Sequence, residues 1–305
     1  MRPMGDLECG RRRSRVLILC LLAVGGICVG QGIPAKQTLA IYARTTNQFA
    51  AAIFLKPTQA TNADLACQFA PLIIQQVAAG PLAAALLRDQ FGAPGVSNVV
   101  SVLDPAHPPV YWVADTVPLN GRDHVRLSYQ WWYPARNPPV ELSALSRQGL
   151  RITLDSQDQP AIWEILADTS GRQLVFISQS LEAAAGAEFG KPLPGRRYSI
   201  ERSLKEAPNV IVPRVIDDGP AATGPIIYLS EGNRNVSTLI CRCMPAQAKR
   251  LVATRTFDLP PLDADAMNAL LAVAGTASNG PPVLWPGDRR SENRLDKRLR
   301  LPASF

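Results

Sequence analysis

Two hydrophobic periods follow one another along this chain. Between Asn62 and Phe91, Leu65, Phe69, Leu72 and Ile73 recur three and four residues apart, the spacing of a buried helical face, with Asn62 as the capping residue. Pro71 and the Gly80-Pro81 pair interrupt that pattern. They predict a kinked helix and then a second one over Leu82–Phe91. From Val110 the period becomes two. Val125, Leu127, Tyr129, Trp131 and Tyr133 alternate with Arg126, Ser128, Gln130 and Trp132, the signature of a half-buried strand.

Upstream, Tyr111, Val113 and Val117 alternate with Trp112, Ala114 and Thr116, and Asn120-Gly121 lies between the two runs as a hairpin turn. A two-residue loop would set Val117 opposite His124 and Val113 opposite Ser128, mixing apolar with polar. An odd-length loop pairs Val117 with Val125 and Val113 with Tyr129, so the pattern predicts a three-residue or bulged turn. In that register Trp112 faces Gln130, with Trp132 as its diagonal neighbour on the same face.

Further strands are predicted at Thr38–Arg44, Leu150–Asp155, Ala161–Ala167, Gln173–Ser178, Arg197–Arg202, Val210–Ile216, Ile226–Leu229, Val236–Cys243 and Arg255–Leu259. Short helices are predicted at Glu141–Gln148, Leu181–Phe189 (ended by Gly190) and Ala264–Ala274. Helices first and consecutive strands afterwards make an α+β fold: a helical N-terminal part followed by a mostly antiparallel β-sheet with short helices. Regular βαβ alternation is missing, which argues against a doubly wound nucleotide-binding fold.

Ahead of these elements stands Arg11-Arg12-Arg13-Ser14-Arg15, followed by the apolar run Val16–Val29. Fourteen residues make about 21 Å of helix, short of the roughly 30 Å hydrocarbon core of a bilayer. The layout is that of a secretory signal, cleaved near Gly30 or Gly32. The alternative is a retained membrane anchor over residues 16–33 with its basic end in the cytoplasm. Domain expectations follow: 1–32 signal peptide or anchor, 33–285 a globular region (helical 62–91, β-rich 110–259), and 286–305 a basic disordered tail. The protein is expected to be exported, secreted or periplasmic, with membrane contact through its N-terminal segment if that is uncleaved.

The formal net charge of +7 changes the picture little once it is located. Residues 1–30 and 286–305 each carry +3, which leaves +1 for the long middle. A nearly neutral body does not track phosphates, so nucleic acid is not an expected partner. The middle is large enough to bury its own core. Of six cysteines only Cys67, Cys241 and Cys243 lie beyond the export segment, so disulfide staples are not what holds the fold.

Candidate chemistry is sparse. The chain has no nucleophile elbow, zinc helix or phosphate-binding glycine loop. Its two histidines, His107 and His124, lie in or beside loops. Cys241 and Cys243 would share one strand face with Cα atoms roughly 6.6 Å apart. With Cys67 they are candidate ligands for zinc or copper, or a redox pair; buried packing or one disulfide to Cys67 are the bland readings. Trp112 and Trp132, with Gln130 and Arg126 beside them, are candidates for a stacking platform that binds a glycan or envelope component; burial beneath a helix is the alternative. Acid pairs (Asp217-Asp218, Glu164 with Asp168, Glu182 with Glu188) read foremost as turn or surface residues, and Asn235-Val236-Ser237 fits a glycosylation sequon. The functional expectation is a non-catalytic exported binding or envelope-associated protein; the alternatives are a metal or thiol redox protein and a hydrolase with an unrecognised site.

Overall fold

The computed structural model describes residues 40–41, 51–58, 64–77, 90–97, 100–104, 106, 108–134, 145–168, 172–203, 210–219, 224–242, 255–263, 265–266 and 295–305. The expected export segment, and the second expected helix up to residue 89, lie outside these residues. No helix among the described residues is long and apolar enough to cross a membrane.

The expected α+β class is overturned: the described chain is mostly β-sheet, arranged in two mixed sheets. One has the order β13-β12-β2-β1-β14, from Val236–Arg242, Pro225–Leu229, Leu72–Gln76, Ala52–Pro57 and Arg255–Phe257. The other runs β10-β9-β8-β7-β6-β5, from Val210–Ile211, Gln173–Ser178, Pro160–Ile165, Leu145–Leu154, Arg122–Pro134 and Tyr111–Leu119, with β11 (Val215–Ile216) also on β9. From β5 to β9 it is an antiparallel meander, whereas β10 and β11 join β9 in parallel. A separate hairpin, β3 (Ala93–Ser97) with β4 (Val100–Asp104), completes the strands.

The helical expectation for 62–91 fails in its described part for an identifiable reason. Asp64, rather than Asn62, caps a single turn, α1 (Leu65–Gln68). Past Pro71 the segment becomes β2, with Ile73 and Ile74 in mid-strand; β-branched residues suit a pleated surface better than a helix. Long-range pairing on both flanks, antiparallel to β1 and parallel to β12, outweighs the local helical spacing. Ala40 and Ile41 are helical where a strand was expected, residues 145–148 begin β7 rather than end a helix, and 197–202 forms turns instead of a strand.

The two sheets face each other across one core. Ile53, Leu55, Ile73, Ile227 and Leu239 from the first pack against Leu127, Tyr129, Trp131, Ile152, Trp163 and Phe176 from the second. One buried polar chain crosses this core: Trp131 Nε1 donates to Tyr133 Oη (3.0 Å), which donates to Gln75 Oε1 (2.9 Å). One extended segment sews the sheets together. Residues 255–257 pair with β1, and the following residues run beside the start of β5, through Val110 N to Asp258 O (2.8 Å) and Leu262 N to Trp112 O (2.6 Å). A strand that changes sheets in this way closes a sandwich along one edge.

A second apolar cluster covers the outer face of the seven-stranded sheet near β8 and β9. It is formed by α2 (Gln179–Phe189) and the C-terminal residues 295–305, which begin with α3 (Leu295–Arg298). α2 matches its expected position, with Ser178 at its N-cap and Gly190 at φ +74° behind it. The C-terminal residues correct another expectation. Over 295–305 the chain is packed, not disordered: Leu295, Leu299, Leu301 and Phe305 are all buried.

Candidate functional site

The hairpin register decides what the candidate residues can do together. Asn120 (φ +50°) and Gly121 (φ +78°) both take left-handed backbone, so the turn is the two-residue type that Asn-Gly favours. Leu119 pairs with Arg122, Val117 with His124 and Val113 with Ser128, the register that the apolar–polar argument rejected. Apolar-with-apolar pairing selects a register only where one face of the hairpin is solvated. Here Leu127 and Tyr129 on one face of β6 and Ser128 and Gln130 on the other are all buried, while Ala114, Asp115 and Thr116 of β5 are exposed, so neither face is simply wet or dry and apolar and polar residues sit side by side on each.

As a consequence Trp112 and Trp132 lie on opposite faces. Trp112 pairs with Tyr129 and packs, half-buried, on the core between the sheets. Trp132 is buried on the outer face against Leu262, Tyr111 and Val113. Tyr111 meets it edge to face, with centroids 5.5 Å apart at 84°. The expected pair of indoles on one face is therefore not formed: Trp132 is buried and Trp112 half-buried. Arg126, Gln130 and Trp132 do share the outer face, as alternate residues of β6. Burial raises the Tyr111 phenol above its usual pKa.

Around those β6 residues the outer face carries a polar stripe that the sequence did not single out. In register order Asp115, Arg126 and Thr153 form one cross-strand row; Ser128, Arg151 and Glu164 form the next; Gln130 stands opposite Tyr111 and Gly149. Arg126 engages Asp115 through two hydrogen bonds, the Nε to Oδ1 contact measuring 2.7 Å. Arg151 Nη1 lies 3.9 Å from Glu164 Oε2, and Gln173 Nε2 donates to Glu164 Oε1 at 2.8 Å. Each arginine thus has a carboxylate beside it, and the stripe carries no surplus charge. Gly149 is bare backbone by necessity, since a Cβ there would stand 2.6 Å from Tyr129 O and 2.7 Å from Leu166 Cδ1.

Asp115 is exposed and Arg126 partly so, but the rest of the stripe is buried, and part of its hydrogen-bonding capacity is unused. Gln130 (1 % exposed), Thr153 (0 %) and His124 (2 %) each keep one polar atom without a partner among the described residues: Oε1, Oγ1 and Nε2. Buried polar atoms are nearly always satisfied, and leaving one unsatisfied costs about 1–3 kcal/mol. His124 uses its other nitrogen, Nδ1, in a 2.9 Å contact with Leu154 O, and its ring stacks on Phe305 (4.4 Å, 7°). From His124 to Gln130 the stripe runs six residues along β6, about 20 Å at 3.4 Å per residue. Phe305 bounds one end; the Tyr111–Trp132 pair bounds the other.

Sequence reasoning missed Ser128, Arg151, Thr153 and Glu164 as a group. The available signal was a carboxylate within the apolar run 161–167 and an arginine in the adjacent strand, in a chain whose central strands are otherwise apolar. Only strand pairing brings these residues together.

The other candidates separate. Cys67 is a half-buried free thiol on α1. Cys241 falls at the irregularity between Ile240 and Arg242 of β13, where only its backbone is described, and Cys243 and His107 lie outside the described residues. Among the described residues no group of His, Cys, Asp and Glu is placed to hold a metal ion. The acids serve as caps and clamps: Asp218 accepts from Ser180 N (2.6 Å), Glu182 from Ser199 N (2.6 Å) and Glu188 from Ala303 N (2.8 Å). Asn235 of the sequon is buried. No protein-family model, no curated protein and no solved structure matches the chain.

Proposed function

We propose that this is an exported, non-catalytic binding protein whose ligand is a neutral, hydroxyl-rich molecule of the glycan or envelope-component class, held along the outer-face stripe. The observation that carries the reading is the set of atoms Gln130 Oε1, Thr153 Oγ1 and His124 Nε2 on one sheet face, unpartnered among the described residues and closed off from solvent until a ligand reaches them. A hydroxyl both donates and accepts, so it complements a glutamine amide whichever way round that amide stands, and a threonine hydroxyl as well. An anion is a poorer match, because Asp115 and Glu164 already neutralise the two arginines. The arginine cluster and apolar run at residues 11–29 support export.

The test is a thermal-shift titration of residues 33–305 with maltotriose and chitotriose, with tri-galacturonate as the anionic control. A ligand at a hundred times its Kd stabilises the folded state by about 2.7 kcal/mol. The expected result is a saturable rise in Tm with a neutral trisaccharide that is abolished in the Gln130→Met, Thr153→Val double variant. A rise that persists in this variant, or one produced by tri-galacturonate alone, overturns the assignment.

A further inference from the structure

One side-chain amide at the tip of the β5–β6 hairpin clamps the main chain of residues 301–302. Asn120 Nδ2 donates to Leu301 O (3.1 Å) and to Pro302 O (3.0 Å). Both acceptors are carbonyls, so the amide must present its nitrogen to them, and both of its protons are used. Residues 303–305 are held separately, by Glu188 on Ala303 N (2.8 Å), Arg122 Nη1 on Ser304 O (3.3 Å) and the stack of Phe305 on His124.

The clamp is also chemically reactive. An asparagine followed by glycine closes readily to a cyclic imide, because a residue without Cβ leaves its backbone nitrogen free to reach the asparagine side-chain carbon. The sequence has two such pairs, Asn120-Gly121 and Asn279-Gly280, and the first lies among the described residues. Both of its members are exposed, with left-handed backbone (φ +50° and +78°). Nothing stands within 4 Å of where a Gly121 Cβ would be, so the turn has room to move.

From this geometry we propose that Asn120 is a deamidation site, with water as the co-reactant, whose conversion turns the clamp on residues 301–302 into a repelling contact. The Gly121 nitrogen gives up its proton and bonds to Asn120 Cγ; the Cγ–Nδ2 bond breaks and Nδ2 leaves as ammonia. Water then opens the imide, at Cγ to give aspartate or at the main-chain carbon of residue 120 to give isoaspartate. Either product carries a carboxylate, which accepts hydrogen bonds and donates none. Facing Leu301 O and Pro302 O, it loses both contacts and repels both oxygens. Residues 301–305 loosen, while buried Leu295 and Leu299 and the contacts from Arg202 keep residues 295–300 seated. The amide reacts only when it is off the two carbonyls, so docking protects it, and the loss of ammonia makes each opening that reacts permanent. The proposal is independent of any ligand on the stripe.

The experiment follows the full chain, folded and in urea, in mildly alkaline buffer. Peptide mapping separates aspartate and isoaspartate at position 120 from conversion at Asn279. Asn120 is expected to convert in the folded protein, more slowly than in urea, and faster in Phe305→Ala than in the parent. In a separate Asn120→Asp variant, amide exchange at Ala303 and Phe305 is expected to quicken about tenfold, the worth of two lost hydrogen bonds, with Leu299 unchanged. Folded-state conversion that is nil or as fast as in urea, equal rates in Phe305→Ala and the parent, or unchanged exchange at Ala303 and Phe305 in Asn120→Asp would overturn the proposal.

Discussion

Replacing Glu164 by glutamine isolates the electrostatics of the stripe. The amide keeps the shape of the carboxylate and an acceptor for Gln173 Nε2, now at 2.8 Å, but removes the negative charge that faces Arg151. Both side chains are almost wholly buried, at 6 % and 3 % exposure, so water screens the loss poorly. Removing one partner of a buried ion pair costs about 3–5 kcal/mol. The 3.9 Å separation, longer than the 2.7–2.9 Å of a strong charge-assisted contact, places this case at about 3 kcal/mol. Glu164→Gln is therefore expected to lower the stability measured by urea unfolding at pH 7, followed by tryptophan fluorescence, by about that amount. Substituting Arg151→Met as well removes the other charge of the pair, and the double variant is expected to recover part of the loss relative to the Glu164→Gln single variant. A single variant within about 0.5 kcal/mol of the parent, or a double variant no better than the single, would refute the claim that these charges depend on each other.

Three glycine and tyrosine substitutions test the framework around the site. Gly224→Ala would place a Cβ 1.7 Å from Ala70 O, a backbone clash at the start of the β12–β2 pairing, so a drop of at least about 3 kcal/mol in thermal melts is expected. Gly121→Ala meets nothing within 4 Å and bears only the strain of its φ of +78°, about 1 kcal/mol; equal effects would contradict the two geometries. The Tyr129 hydroxyl donates to Ala66 O at 2.8 Å, and burial foremost, with Cys67 and Asp64 adding, holds its pKa well above 10. Its contribution is complete below pH 10 and is lost above it at about 1.4 kcal/mol per pH unit, because the unfolded chain releases that proton first. Tyr129→Phe is accordingly expected to flatten the decline of urea midpoints between about pH 10 and 11, and parallel curves would contradict the burial argument.

The β5–β6 hairpin was legible because its strands alternate and Asn-Gly marks the turn between them, and β8 and β9 because each is a short, almost unbroken apolar run. Helix α2 was legible because cap, alanine-rich body and terminal glycine agree. The register of the β5–β6 hairpin was not, since period two selects a register only when one face is wet. Here the core covers one face, and the C-terminal residues and the 255–266 region cover parts of the other. β2 was hidden because its partners β1 and β12 lie about 20 and 150 residues away, while the helical spacing was local. The C-terminal anchors were disguised by their setting: Leu295, Leu299, Leu301 and Phe305 stand among Asp296, Lys297, Arg298 and Arg300, and the charged background suggested a solvated tail. Of the four residues expected to bind, Arg126, Gln130 and Trp132 fall on one face because they alternate along a single strand. Trp112 required the correct register and does not join them.

The claim that the outer-face stripe holds polar atoms in reserve for a ligand has a test that needs no ligand. Thr153→Val removes a buried hydroxyl with almost no change of shape, and Gln130→Met does the same for an amide. If those atoms are unsatisfied in the free protein, deleting them relieves a penalty of about 1–3 kcal/mol each. Urea unfolding of the ligand-free protein is then expected to show higher midpoints for Thr153→Val and for Gln130→Met than for the parent. Lower midpoints for both would mean that the side chains are already bonded within the fold, and would contradict the assignment of the stripe as a binding site.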